Sequence, residues 1–325
     1  MKQQGGFKRF ALSGSILLMI AIYSSYLAID IHTGFSESTY SRIVRYLGIL
    51  ICVVLVFVAG KDANNPRDLK LMKWAMFFTA CADFVMSMIC NFALFSFQSC
   101  SQFSSYRFPL GALLFIIVQL ILINRHRRHF KWQPKEVVTG LIVFGLMIEK
   151  VLRDIKLITM GDAAFKPALI AVMGLYAAIL CVSLWMAIGT LWRGYFPRQT
   201  AWIITIGMIL FFLCDNSLAR ATLFADKVPI EKRAAFIIAT NTIHTTTIQE
   251  DVDSIAVYTD EEHANTVSIP YTPRSIAALL VWFFYLPAQV LLMLSVYNPD
   301  YLNSVFGAYP RLRGRTPPVI QKRGV

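Results

Sequence analysis

The sequence predicts an all-α membrane protein of eight transmembrane helices, and three observations carry that prediction. Of its 325 residues 56% are hydrophobic and only 15% charged, with a mean hydropathy of +0.56. Soluble domains run nearer roughly 45–50% apolar and about 25% charged. The apolar residues gather into long runs at 10–29, 42–59, 74–97, 107–124, 137–158, 167–192, 200–224 and 275–297, and a helix needs about 20 such residues to cross a bilayer. Finally, the formal charge of +12 is concentrated in short basic clusters between alternate runs. Such clusters orient membrane helices and touch anionic lipid, and they argue against nucleic acid as the partner.

The first run follows Lys8 and Arg9 as a signal peptide would, but it is long enough to span and no small-residue cleavage site follows. It is predicted to be a retained helix. The fifth run is the weakest, because its clean stretch, Val137–Ile148, is followed at once by Glu149, Lys150, Arg153 and Asp154. Loop charge decides in its favour. With eight spans and a cytoplasmic N-terminus, the inner segments hold most of the 31 basic residues, including Lys61 to Lys73, Arg125 to Lys135, Arg193, Arg198 and the tail from Arg311 to Arg323. Removing the fifth span would put that basic tail outside. Both termini are therefore expected in the cytoplasm of a plasma membrane or endomembrane.

The membrane domain is predicted to occupy 1–297, with one polar insertion at 225–273. Its eight acidic residues outnumber Lys227, Lys232 and Arg233, which suits an external loop. Ser254–Thr259 and Thr266–Ile269 read as a small β-hairpin, either a lid or, as favoured here, a passive loop. The basic tail 298–325, with Pro310, Pro317 and Pro318, is expected to be mobile and membrane-apposed. Cysteines Cys52, Cys81, Cys90, Cys181 and Cys214 fall within apolar runs, and Cys100 in a loop. No disulfide framework or metal spacing emerges, so no cofactor is expected. His126 and His129 fall in a basic cluster, where solvation is the expectation.

Two aspartates inside the apolar runs carry the functional signal. Phe77-Phe78-Thr79-Ala80-Cys81-Ala82-Asp83 in the third run answers to Phe211-Phe212-Leu213-Cys214-Asp215 in the seventh. The run after each carries a glutamine in matching context, Phe115 to Gln119 and Tyr285 to Gln289. An intramembrane carboxylate is costly unless neutral, paired or wet, and its default reading is functional. If the third and fourth runs repeat as the seventh and eighth, the protein is two parallel four-helix halves with both aspartates near one centre. Gln119 and Gln289 cannot titrate; they either orient a group in the site or join helices. Depth argues against a level pair. By ~1.5 Å per residue, Asp83 lies about 15 Å from Lys73 and Asp215 about 25 Å from Arg198.

These residues resemble the YhhN-type family of eight-span membrane proteins, which includes the lysoplasmalogenases. The resemblance rests on Ala82-Asp83, Gly111 with Phe115 and Gln119, Cys214-Asp215 with Ala219 and Phe224, Tyr285-Leu286-Pro287-Ala288-Gln289, and Pro167 at the start of the sixth run. It departs where the family has a histidine, here Gln119, and a tyrosine three positions on, here Leu122. Cys214 replaces a small polar residue, and the insertion is longer. The resemblance implies hydrolysis of the vinyl ether of a lysoplasmalogen, with Asp83 and Asp215 as an acid/base pair and Gln119, Gln289 and Tyr285 binding or orienting substrate. Which aspartate is the acid stays open. The alternative is a non-catalytic transporter or lipid-binding protein using the same carboxylates; a purely structural polar plug is the third reading. No serine-hydrolase elbow, phosphate loop or His-x-x-x-His motif is present.

Overall fold

The computed structural model describes residues 2–32, 39–88, 97–154, 166–223 and 273–306. Among them the chain is helical throughout: α1 (Lys2–His32), α2 (Thr39–Val58), α3 (Pro66–Asp83), α4 (Phe97–His126), α5 (Pro134–Asp154), α6 (Lys166–Arg193), α7 (Arg198–Leu223), α8 (Pro273–Leu294) and the short α9 (Pro299–Phe306). Four are long and apolar enough to cross a membrane by length and composition, over Ala11–Ile29, Pro109–His126, Ala171–Arg193 and Arg198–Leu218; Leu279–Leu294 is a shorter apolar stretch. The eight spans expected from the sequence are thus met at four.

Outer faces match such a setting. Leu17 and Leu18 on α1, Val54 and Phe57 on α2, and Leu141, Ile142 and Leu146 on α5 are exposed. Monomeric soluble proteins rarely expose large apolar patches.

Six helices close a ring in the order α2–α3–α4–α6–α7–α8 and back to α2, with α1 outside α2 and α5 outside α6. Advancing each helix by four positions maps this order of contacts onto itself: α1–α2 onto α5–α6, α2–α3 onto α6–α7, α3–α4 onto α7–α8, and α4–α6 onto α8–α2. The closest seam is α7 on α8. At Gly207 an added Cβ would lie 3.2 Å from Leu291 Cβ and 3.3 Å from Leu292 Cγ, the close backbone approach that small residues permit in membrane bundles.

One end of the ring is tied across its loops. Asn64 N–H donates to Val296 O (2.8 Å), Asn298 N–H to Asp62 O (2.9 Å) and Asn65 Nδ2 to the Tyr195 hydroxyl (3.1 Å). Arg125 Nη1 donates to Ser295 Oγ (2.9 Å). The connections α2–α3, α4–α5, α6–α7 and α8–α9 therefore share an end, which carries the basic clusters. Arg193 makes a two-pronged bond to Glu136 there, Nε to Oε1 and Nη2 to Oε2, both 2.6 Å. Asp68 accepts from Tyr195 (3.3 Å) and lies 3.3 Å from Arg128. Burial pushes its carboxyl above the ordinary range, against the pull of Arg125, Arg128 and Arg67.

Several expectations are corrected. α3 begins at Pro66, eight residues before its apolar run, because Asn65 caps it (Oδ1 accepts from Arg67 N–H, 2.9 Å) and Pro66 suits the first helical position. α4 begins at Phe97, so Cys100 lies in a helix and not a loop. His126 is buried at 1% exposure in the last turn of α4, while His129 is exposed with φ 56°. The tail opens with α9, whose Leu302 is buried and which packs on α1. The expected hairpin at 254–269, and the insertion as far as residue 272, lies outside the described residues.

Candidate functional site

Both aspartates occupy the same place in their helices. Asp83 is the eighteenth residue of α3 and Asp215 the eighteenth of α7, about 25 Å along each axis at 1.5 Å per residue. Counted from its helix start and not from Lys73, Asp83 is as far along α3 as Asp215 is along α7. Their carboxylates lie within electrostatic reach of one another, and Cys214 within reach of both.

Asp83 ends the α-helical part of α3, and the next five residues, Phe84–Met88, form a π-turn. Phe84 N–H divides between the carbonyls of Ala80 and Cys81. π-turns inside helices recur at functional sites. Asp83 is buried and accepts a 2.5 Å hydrogen bond from the Tyr285 hydroxyl of α8, across the ring. Asp215 accepts from the Tyr176 hydroxyl of α6. Each carboxylate thus has one phenol.

Aromatic rings wall the space between. Phe115, Phe211 and Tyr285 sit in a triangle, with centroids 6.0 Å apart for Phe115–Phe211, 6.0 Å for Phe211–Tyr285 and 6.5 Å for Phe115–Tyr285. Beside it a cavity of about 20 Å³ is lined by Met86, Ala112, Phe115, Met173, Tyr176, Asp215 and Leu218. That is room for one water. Asp215 is only partly buried and lines this cavity; Asp83 does not. Gly111 lets α3 and α4 meet here, since a Cβ on it would run into Met86.

The glutamines are buried one turn further toward the basic end, on the helices that carry Phe115 and Tyr285. Neither amide atom of Gln119 has a hydrogen-bond partner, nor does Gln289 Nε2. The Tyr176 phenol lies beside the Gln119 amide. Buried amides left in this state normally meet water.

Every residue expected at the site from the sequence therefore falls in this interior: Asp83 and Tyr285 in direct contact, Asp215 at the cavity, Gln119 and Gln289 beneath. Tyr176 escaped sequence reasoning. Its signal was a single tyrosine inside a long apolar run, whose hydroxyl must find a partner when buried. Met86 was equally unmarked, since an apolar residue there reads as packing.

Fold and site together define a protein whose described residues are helical, with membrane-length apolar helices and two aspartates in their interior. No family model, curated protein or solved structure matches this chain.

Proposed function

We propose that this is a lysoplasmalogenase-like membrane hydrolase that cleaves the vinyl ether of a lysoplasmalogen. In this reading all eight helices α1–α8 cross the bilayer, as two parallel four-helix repeats with both termini cytoplasmic. The repeated order of helix contacts and the common end of the basic loops support that topology. The lipid is the substrate, and no metal or organic cofactor takes part.

The observation that carries the reading is two carboxylates in the helical interior, each held by a tyrosine, with Asp215 lining a water-sized, mostly apolar cavity. Vinyl-ether hydrolysis needs an acid and no nucleophilic side chain. The Asp215 carboxyl, at the cavity, gives its proton to the outer vinyl carbon, and the π electrons form the new C–H bond. The Asp83 carboxylate faces the resulting oxocarbenium ion electrostatically. Water adds to the carbon beside oxygen and returns a proton to Asp215. The hemiacetal then collapses: the glycerol oxygen leaves with a proton, and a fatty aldehyde forms. Two carboxyl groups in unlike environments suit such divided roles.

The resemblance to the YhhN-type family supports the substrate class; Gln119, where that family has histidine, departs from it and cannot carry a proton. The test is aldehyde release from a lysoplasmalogen by purified protein, against a saturated alkyl-ether analogue. The expected result is aldehyde from the vinyl ether alone, lost in Asp215→Asn; a folded protein that releases none rejects the reading. The duplicated ring also favours a second reading, a proton-coupled transporter built from parallel repeats. Uptake into vesicles without aldehyde release would select it.

A further inference from the structure

The loop between α4 and α5 interleaves charge with aromatic rings: Arg127, Arg128, His129, Phe130, Lys131, Trp132. Phe130 packs on Trp132 and on Trp185 of α6 (centroids 5.2 and 5.7 Å away), and those two tryptophans lie 5.9 Å apart. The Arg193 guanidinium stands 5.0 Å over the Phe130 ring. Trp185 Nε1 donates to Glu136 O (2.7 Å), so loop, α5 and α6 are fixed to one another. At this corner is a cavity of about 370 Å³, lined by His129, Lys131, Gln133, Glu136, Trp192 and Arg193. Small-ligand pockets run from roughly 300 to 1,000 Å³.

The charge of this lining is positive. Glu136 is its one acid, and both carboxylate oxygens are engaged: Arg193 donates to each (2.6 Å) and Trp192 Nε1 to Oε1 (3.1 Å). That pair is a buried, neutral floor. Lys131 and His129 are exposed at the rim, and Lys131 makes no ion pair among the described residues. His129 keeps a φ of 56°, a left-handed backbone that non-glycine residues hold most often at ligand clamps and other functional sites.

Such a lining fits an anion, and its surroundings select a lipid. Val137, Val138, Leu141 and Ile142 follow Glu136 along one side of α5 and are exposed, which is a path for acyl chains. Trp132 is 76% exposed beside the cavity, as tryptophans at headgroup depth are. We propose that this corner binds the headgroup of an anionic phospholipid, its phosphate on Lys131 and His129 and its acyl chains along α5. Basic pockets between membrane helices bind such headgroups. The corner is remote from the aspartates: on α6, Arg193 lies seventeen residues beyond Tyr176, about 25 Å at 1.5 Å per residue. The phosphate of a lysoplasmalogen is one glycerol away from its vinyl ether, so a lipid held here is out of reach of Asp215. The inference therefore stands apart from the hydrolase reading.

The test is native mass spectrometry of the delipidated full-length protein in detergent, titrated with phosphatidylglycerol, phosphatidylcholine or inorganic phosphate. Phosphatidylglycerol is expected to bind severalfold more tightly than phosphatidylcholine. Lys131→Gln is expected to weaken it about fivefold, the loss of one cation at an anionic surface. Lys70→Gln, which removes another exposed charge near the same end, is expected to leave it unchanged. Excess inorganic phosphate is expected not to displace the lipid. Equal binding of the two lipids overturns the proposal. So does a loss in Lys131→Gln no greater than in Lys70→Gln, because lipid then gathers at the basic end without a site. Displacement by phosphate makes this a free-anion site and rejects the lipid. Both lysines are exposed, so neither change threatens folding, and the lipid preference of the native protein is read without a variant.

Discussion

Asp83 accepts a 2.5 Å hydrogen bond from Tyr285 in the interior, and removing the donor isolates its effect. Tyr285→Phe leaves a buried carboxyl oxygen without its partner, at a cost of about 1–3 kcal/mol. Tyr176→Phe does the same at Asp215. Both variants are expected to unfold at lower denaturant concentration and to lose turnover, with Tyr176→Phe losing more because its carboxylate faces the cavity. Equal turnover in both would place the reacting group elsewhere. Gly111→Ala tests the cavity itself. The added methyl drives the flexible Met86 from its place, so the expected outcome is reduced turnover with little change in unfolding. At this scale the sequence marked both aspartates, because a carboxylate inside an apolar run violates the solvation rule wherever it falls. It did not mark Tyr176 or Met86. A tyrosine or methionine in such a run breaks no rule, and only the partner across the bundle gives it meaning.

Among the elements, α5 and α6 are pinned at the basic end by Glu136 and Arg193, whose side chains are 1% and 3% exposed. Glu136 also accepts from Trp192 Nε1 (3.1 Å). Removing one partner of a buried pair costs more than the pair contributes, about 3–5 kcal/mol. Glu136→Gln is therefore expected to destabilise the bundle strongly, and Glu136→Gln combined with Arg193→Met less than Glu136→Gln alone. Thermal unfolding in detergent checks the order; a double variant worse than the single would show that the pair is not the relevant unit. The apolar runs predicted helix existence well but misplaced helix starts. α3 is carried below its run by a cap and a proline, and α4 begins ten residues before its own run. Hydropathy reports where a helix meets lipid, whereas caps decide where it begins. That difference makes Asp83 and Asp215 each the eighteenth residue of its helix.

For the whole molecule, the account predicts that the loops at 59–65, 127–133 and 194–197 face one side of the membrane. Single cysteines placed there in a background free of the native cysteines should react together with an impermeant thiol reagent from the cytoplasmic side only. Reaction from opposite sides would break the eight-span topology. The proposed two halves have only short echoes in the sequence, Phe77 to Asp83 against Phe211 to Asp215 and Phe115 to Gln119 against Tyr285 to Gln289. The ring of contacts extends that echo to helices with no shared motif, such as α2 and α6. Packing order outlives sequence similarity because apolar positions in a bundle interchange readily. His126 shows the opposite limit: a histidine among arginines reads as solvated, and only the closure of α6 and α7 over the end of α4 buries it.

The central claim is that the Asp215 carboxyl delivers a proton to carbon. The most direct measurement is lysoplasmalogen turnover in D2O, with the aldehyde trapped as it forms and its deuterium located by mass spectrometry. The account predicts one deuterium on the carbon next to the aldehyde, placed there by the native protein and not by Asp215→Asn. Aldehyde without deuterium at that carbon, or undiminished incorporation by the variant, would contradict it.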